Sequence, residues 1–109
     1  MKESEFQKGL KNDILERFPG AMVLKTDPTN PANPQGIPDL LILYKNKWAA
    51  LEVKKEEKAS KRPNQSYYVD KMNEMSYSSF VSPENKKEVL DDLEGVFKSR
   101  RKTRTTESK

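Results

Sequence analysis

Apolar residues recur along this chain with two different spacings, which predict where helices and strands form. Near the N-terminus they are four residues apart, at Phe6, Leu10, Ile14 and Phe18. This spacing predicts a helix over residues 3–18, which Pro19 and Gly20 would end. The apolar run at 21–26 predicts a strand, and the three prolines within residues 27–36 predict an irregular loop after it.

Two short apolar runs in the middle of the chain predict a β-hairpin. They are LLILY at residues 40–44 and WAALEVK at residues 48–54, separated by the polar connector Lys-Asn-Lys at 45–47. Each run has the length of a strand, and the connector is short enough for a tight turn. We therefore expect the two runs to pair in antiparallel fashion.

The register of this hairpin decides which polar side chains meet. A two-residue turn at 45–46 places Asp39 opposite Glu52, and a turn at 46–47 places Asp39 opposite Lys54. Side chains alternate between the two faces of a sheet, so either turn leaves these three residues on one face. Only a loop of odd length or a bulge would separate them.

Two carboxylates among the apolar residues of a sheet require a positive counter-charge. Mg²⁺ or Mn²⁺ is a suitable one, because these ions prefer carboxylate, carbonyl and phosphate oxygens and keep several waters. A metal held by Asp39 and Glu52 would activate water toward a phosphate, and Lys54 would hold that water or the phosphate. The alternative is that Glu52 and Lys54 form an ordinary surface pair on an edge strand.

Composition excludes several other kinds of chemistry. The chain has no His and no Cys, which rules out zinc fingers, His-dependent nucleases, Ser-His and Cys-His triads, and disulfide scaffolds. It also has no secretory signal pattern and no apolar run long enough to span a bilayer. The sequence therefore predicts a soluble, cytoplasmic protein without membrane association.

The positive charge is concentrated in two places. The formal net charge of the 109 residues is +4, and residues 98–109 contain six Lys or Arg and one Glu. We predict one domain over residues 1–97 and a basic, disordered tail over 98–109 that either binds phosphate backbone or is idle. Residues 45–62 contain seven Lys or Arg against three Glu, which favours a polyanionic partner beside the acidic pair.

The remaining pattern completes an α/β fold. A helix is predicted over 64–75 with Pro63 in its first turn, followed by a strand over 78–82. A last helix is predicted to begin at Pro83, capped by Ser82. The predicted apolar side of the middle helix is formed by Tyr68, Met72 and Met75, with Val69 adjacent. The order αβββαβα predicts a mixed β-sheet flanked by helices.

These residues resemble a known nuclease signature. Pro38-Asp39 followed by Glu52-Val53-Lys54 resembles the PD-(D/E)xK motif, and the segments GIPDLL, ALEVK and RPNQ together resemble the stand-alone VRR-Nuc proteins of phages, which are similar to Holliday junction resolvases. The resemblance covers roughly residues 3–95. It implies a restriction-endonuclease-like core and a Mg²⁺- or Mn²⁺-dependent deoxyribonuclease that cleaves branched DNA.

A dimer would match such a substrate, because two cuts are needed to resolve a four-way junction and one small domain offers one site. We therefore expect a homodimer, with Trp48, Tyr77 or Phe80 either at its interface or in the core. One alternative is a nuclease for flaps, ends or single strands. Another is a DNA-binding module that has the same fold and does not cleave.

The resemblance also implies roles for individual residues. The implied catalytic residues are Asp39, Glu52, Lys54 and Gln65. The implied metal ligands are Asp39, Glu52, the carbonyl of Val53, and Glu3. Glu3 matches the family pattern Glu-x-x-apolar-Gln, and Glu5 is its alternative. The predicted nucleic-acid contacts are Lys25, Lys55, Arg62 and Tyr68.

Overall fold

The computed structural model describes residues 2–27 and 29–98 of the chain. Its elements follow in the order α1 (Glu3–Arg17), β1 (Met22–Lys25), β2 (Leu40–Tyr44), β3 (Lys47–Val53), α2 (Pro63–Met75), β4 (Ser78–Val81) and α3 (Lys86–Phe97). The predicted order of helices and strands is confirmed, and so is the α/β fold class.

The four strands form one mixed sheet in the order β1-β2-β3-β4. β1 pairs with β2 and β2 with β3 in antiparallel fashion, whereas β3 and β4 run parallel. The tight turn between β2 and β3 lies at Lys45 and Asn46, since Tyr44 pairs with Lys47. Lys45 adopts a φ of 57°, the left-handed conformation that tight hairpin turns require. Of the two registers considered, the hairpin therefore has the one that places Asp39 opposite Glu52.

Helices cover both faces of this sheet, but one of them only in part. α1 and α3 pack on the face that carries Val23 and Ile42, and the aromatic rings of Phe18, Tyr44 and Phe97 meet there at 5.3 to 5.7 Å between centroids. α2 contacts β3 and β4 on the opposite face. The part of that opposite face formed by β1 and β2 is left without a helix among the residues described.

The inward side of α2 differs from the prediction. Val69 is the buried residue of this helix, whereas Met75 is 66% exposed and Tyr68 and Met72 are half-buried. α2 packs on β3 and β4. Of the predicted apolar side, Met75 faces solvent, whereas Tyr68 and Met72 are partly covered.

The start of α3 also differs from the prediction. The helix begins at Lys86 with Asn85 before it, and Ser82 is not its cap. The Asn85 side chain instead accepts a hydrogen bond from the Ser82 amide at 2.8 Å and donates one to the Phe80 carbonyl at 3.1 Å. These bonds close a turn over residues 83–85, so Pro83 lies before the helix and not within it.

The proline-rich segment between β1 and β2 is an ordered loop. The Asp27 carboxylate accepts bonds from the amide and hydroxyl of Thr29, and Asn33 donates to the Asp27 carbonyl at 3.0 Å. At its base the Thr26 amide donates to the Asp39 carbonyl at 2.8 Å. These bonds fix the direction from which Asp39 enters β2.

Two predictions fall partly or wholly outside this description. Residues 99–109, which make up most of the predicted basic tail, lie outside the described residues, so the tail and the domain boundary at residue 97 stay predictions. Within 2–27 and 29–98, no helix is long and apolar enough to cross a membrane.

Candidate active site

The β2–β3 hairpin brings the two predicted carboxylates together. Leu40 pairs with Leu51, so Asp39 and Glu52 are the next opposed residues and share a face of the sheet. The Val53 amide donates to Asp39 Oδ2 at 3.0 Å, which fixes the Asp39 side chain against β3. Since β3 is a central strand, both carboxylates are held by the backbone of the sheet.

Glu52 is a buried acid, and only one of its two carboxylate oxygens accepts a hydrogen bond from the residues described. The residue is 4% exposed, and its Oε2 accepts a hydrogen bond from Gln65 Nε2 at 3.0 Å. Its Oε1 is buried without a donor among the residues described. An uncompensated carboxylate oxygen of this kind is costly in a folded protein. Such a position therefore suits a cation.

Gln65 connects Glu52 to the predicted catalytic lysine. While Nε2 donates to Glu52, Gln65 Oε1 accepts from Lys54 Nζ at 2.9 Å and from the Arg62 amide at 3.1 Å. Gln65 lies in the first turn of α2, which begins at Pro63 and packs over β3 and β4. This placement holds the Lys54 ammonium beside the acidic pair without a direct ion pair.

Burial and mutual repulsion shift the proton affinity of both acids. Burial, followed by repulsion from Asp39, raises the pKa of Glu52 from an ordinary 4.5 to about 8, and the Lys54 cation opposes this shift. Burial also raises the pKa of Asp39, against the stabilising Val53 amide and Lys54. The pair therefore holds a proton near neutral pH unless another cation takes its place.

The donors present fit a hard divalent metal that keeps much of its water shell. Among residues 2–27 and 29–98, no group of three or more acidic, His or Cys side chains is arranged to hold a metal ion. Two carboxylates are nevertheless usual for Mg²⁺, which fills its remaining positions with water and substrate phosphate. The unsatisfied Oε1 of Glu52 supplies an open ligand position beside Asp39.

The two N-terminal glutamates occupy different positions. The Glu5 carboxylate accepts a hydrogen bond from the Lys2 amide at 3.0 Å, which engages it at the start of α1. Glu3 is exposed, and its charge contributes to the raised pKa of Glu52. Of the two, Glu3 is thus the one that acts electrostatically on the site. Its role as a ligand, like that of the Val53 carbonyl, stays a prediction.

The predicted nucleic-acid contacts differ in how the structure relates them to the acidic pair of Asp39 and Glu52. Lys55 and Arg62 are exposed, and Tyr68 is half-buried on α2 with its ring edge-on to Tyr67 at 5.0 Å. Lys25 lies at the end of β1, where its charge partly opposes the rise in the pKa of Asp39 that burial causes. Lys25 and Arg62, which are 37 residues apart in the sequence, are thus both placed near Asp39, since Arg62 lines a cavity with Asp39.

The sequence analysis did not single out two further lysines that the structure groups with Lys25. Lys8 and Lys11 line a cleft of about 220 Å³ between α1 and β1, together with Lys25. Their spacing of three residues places them on one flank of α1, which was a readable signal. The cleft is also lined by Val23 and Leu40, so Lys8 and Lys11 lie on the face of the sheet opposite to Asp39 and Glu52.

Comparison with known proteins finds structures of the same fold. No family model and no curated protein matches this sequence. Among solved structures, a "VRR_NUC domain protein" matches with a TM-score of 0.65 and 15% identity over 90% of this chain and 89% of that one. A "VRR_NUC domain" matches with a TM-score of 0.62 and 26% identity over 84% and 91% of the two chains. The chain therefore has the fold of these VRR_NUC domains, with Asp39 and Glu52 opposed on its hairpin and Lys54 beside them.

Proposed function

We propose that this protein is a metal-dependent endonuclease that hydrolyses phosphodiester bonds in DNA. The observation that carries the proposal is the buried Glu52 carboxylate, whose Oε1 has no donor among the described residues and which lies opposite Asp39. A cation satisfies both acids, and Lys54 stands beside them. The nuclease domain named for the structural neighbours supports the same activity.

The residues divide the chemistry of hydrolysis among them. Asp39 and Glu52, with the Val53 carbonyl and Glu3 as further candidates, would hold Mg²⁺ or Mn²⁺. When bound, the ion lowers the pKa of a water and offsets negative charge on the phosphate. Lys54 donates a hydrogen bond to the attacking water or to a phosphate oxygen that gains charge in the transition state. Gln65 keeps the Lys54 ammonium in place through its Oε1.

Cleavage is expected to require a divalent metal of the right geometry. We expect Mg²⁺ and Mn²⁺ to support cleavage of labelled DNA and Ca²⁺ to support binding only, because Ca²⁺ has a looser shell and activates water less. Gel assays with each ion and with EDTA, run on linear, flapped, single-stranded and four-way substrates, measure this directly. Undiminished cleavage in excess EDTA would contradict the metal assignment.

Branched DNA such as a four-way junction is the proposed substrate. Support comes from the small domain, which has one candidate metal site among its described residues, and from Lys25 and Arg62, which lie near Asp39. Flap, end or single-strand cleavage is the enzymatic alternative, and the same panel of substrates separates them. Against a module that binds without cleaving stands the burial of Glu52, which phosphate binding alone does not require.

We further propose a homodimer formed through the sheet face that no described helix covers. This open sheet face consists of the side chains of Met22, Leu24, Leu41, Leu43 and Trp48, which adjoin one another across β1, β2 and β3. Met22 is 55% and Leu24 41% exposed. Contiguous exposed apolar side chains of this kind are typical of interaction sites, and a two-fold axis would pair the face with itself. Tyr77, by contrast, packs against the core.

The double substitution Met22→Lys and Leu24→Lys is expected to produce a monomer. Two cations on the open sheet face would repel their symmetry mates and lose the apolar contact. Light scattering measures the mass, and a cruciform plasmid reports whether the two strands are cut in a paired manner or singly. Leu15→Lys is a matched control, because Leu15 is 37% exposed on α1, away from this face. A wild-type protein that is already a monomer would contradict the proposal.

A further inference from the structure

A cavity beside the acidic pair has no part in the chemistry described so far. It has a volume of about 450 Å³ and lies between residues 34–37 of the loop and the first turn of α2. Asp39 and Gln65 form its end nearest the active site. Cavities that hold small organic ligands have volumes of roughly 300–1,000 Å³, so this one exceeds the needs of a hydrated metal ion.

The loop and the helix meet closely at the cavity. Gly36 has a φ of 95°, and a Cβ added to it would lie 2.6 Å from Asn64 Cβ. The loop is therefore in direct contact with α2, and only glycine fits the conformation and the space. Contact at this point gives the cavity a fixed wall beside Asp39.

The lining of the cavity combines flat apolar groups with amide side chains. Pro34, Ile37 and Pro63 provide apolar surface, and Gln35 and Asn64 provide amides that both donate and accept hydrogen bonds. Within residues 2–27 and 29–98, no hydrogen bond engages the side-chain amides of Gln35 and Asn64. Apolar walls for the faces of a ring and amides for its polar edge match a nucleobase.

We propose that this cavity holds the base of one unpaired nucleotide adjacent to the scissile phosphate. A base inside a duplex must first be unpaired and unstacked, which costs free energy, so a nucleotide that is already unpaired at a branch point or in a single strand enters the pocket most readily. Arg62, which also lines the cavity, is placed to contact the neighbouring phosphate. The proposal rests on the proposed nuclease function and narrows its substrate to DNA with an unpaired nucleotide at the cut.

Binding is tested first, without cleavage. The probe is a forked duplex with 2-aminopurine as the first unpaired nucleotide, mixed with the wild-type protein in Ca²⁺. We expect the fluorescence to change on binding, and the change to be lost in the Gln35→Ala, Asn64→Ala double variant. Asn12→Ala is the matched control, since Asn12 is exposed on α1. DNA that binds by anisotropy without a fluorescence change overturns the pocket, and absence of any DNA binding overturns the nuclease proposal as well.

Cleavage then separates the two proposals. An abasic spacer in place of the unpaired nucleotide should lower kcat/KM of the wild-type protein about tenfold, in line with the loss of one stacked and hydrogen-bonded base. The same spacer should have little further effect on the double variant, because its pocket no longer holds the base. Equal cleavage of forked, abasic and fully paired DNA overturns the pocket and leaves the nuclease intact. A retained fluorescence change without cleavage in Mg²⁺ or Mn²⁺ overturns the nuclease function and leaves the pocket.

Discussion

Replacing Asp39 with Asn, Glu52 with Gln or Lys54 with Ala is expected to reduce DNA cleavage by about 10²–10³-fold each, which is the usual effect of removing one preorganised electrostatic group. The first two changes remove negative charge that would hold the proposed metal. The third removes the ammonium that Gln65 positions. DNA binding in Ca²⁺ should persist in Lys54→Ala, because Lys54 is only one of many cations that contribute to binding.

Matched substitutions on exposed residues test whether these losses are specific. Asp70→Asn, Glu56→Gln and Lys71→Ala make the same chemical changes at exposed positions and should leave cleavage unchanged. Asp39→Asn is preferred to Ala because the amide oxygen can still accept the Val53 hydrogen bond and preserve the hairpin. Near wild-type turnover in any of the three site variants would show that the residue has been given the wrong role.

Glu52→Gln is expected to stabilise the metal-free protein above neutral pH. The folded pKa of Glu52 is raised to about 8 from an ordinary 4.5, so between these values the folded protein keeps a proton that the unfolded chain has released. The stability of the wild-type protein therefore falls as pH rises through this window, and it stays low above pH 8. Glutamine keeps the shape of the side chain and has no proton to lose.

The size of this effect can be bounded from the shift. One pKa unit corresponds to about 1.4 kcal/mol, which moves the Tm of a domain of this size by at least about 4 °C. In thermal unfolding with EDTA from pH 5 to 9, the Tm of Glu52→Gln minus that of the wild-type protein should increase up to about pH 8. Added Mn²⁺ should reverse the order by stabilising only the wild-type protein. The control Glu56→Gln should have the pH dependence of Tm of the wild-type protein. If Glu52→Gln has it too, the pKa of Glu52 is not raised in the folded protein.

The hairpin and its acidic pair could be predicted because their geometry is local. A two-residue turn fixes the pairing, and alternation then decides which side chains face each other, so Asp39 and Glu52 follow from counting. The contact of Gln65 with Glu52 could not be counted in this way. It depends on how α2 is folded back over β3 after the polar segment at 55–62, and the sequence indicated it only through the family resemblance.

Other features depended on tertiary contacts that patterns do not contain. Ser82 and Pro83 satisfy the rules for a helix start, but the Asn85 side chain bonds to the Ser82 amide and closes a turn there first. The cavity beside Asp39 exists because Gly36 meets Asn64, two residues that are 28 positions apart. A glycine before Ile-Pro-Asp was visible in the sequence, but its partner was not.

The parallel pairing of β3 with β4 has a consequence for how the protein is made. Parallel neighbours need a crossover, and here the crossover contains α2 and therefore Gln65. A chain emerges from the ribosome N-terminus first, so the strands that carry both acids appear before the segment that covers them. In that nascent hairpin both carboxyl groups face water, so their pKa values are those of ordinary exposed acids. The two acids lose their water only when the crossover folds back over β3. A chain that stops after β3 is therefore expected not to cleave DNA, and the ability to cleave is acquired when α2 packs on the sheet.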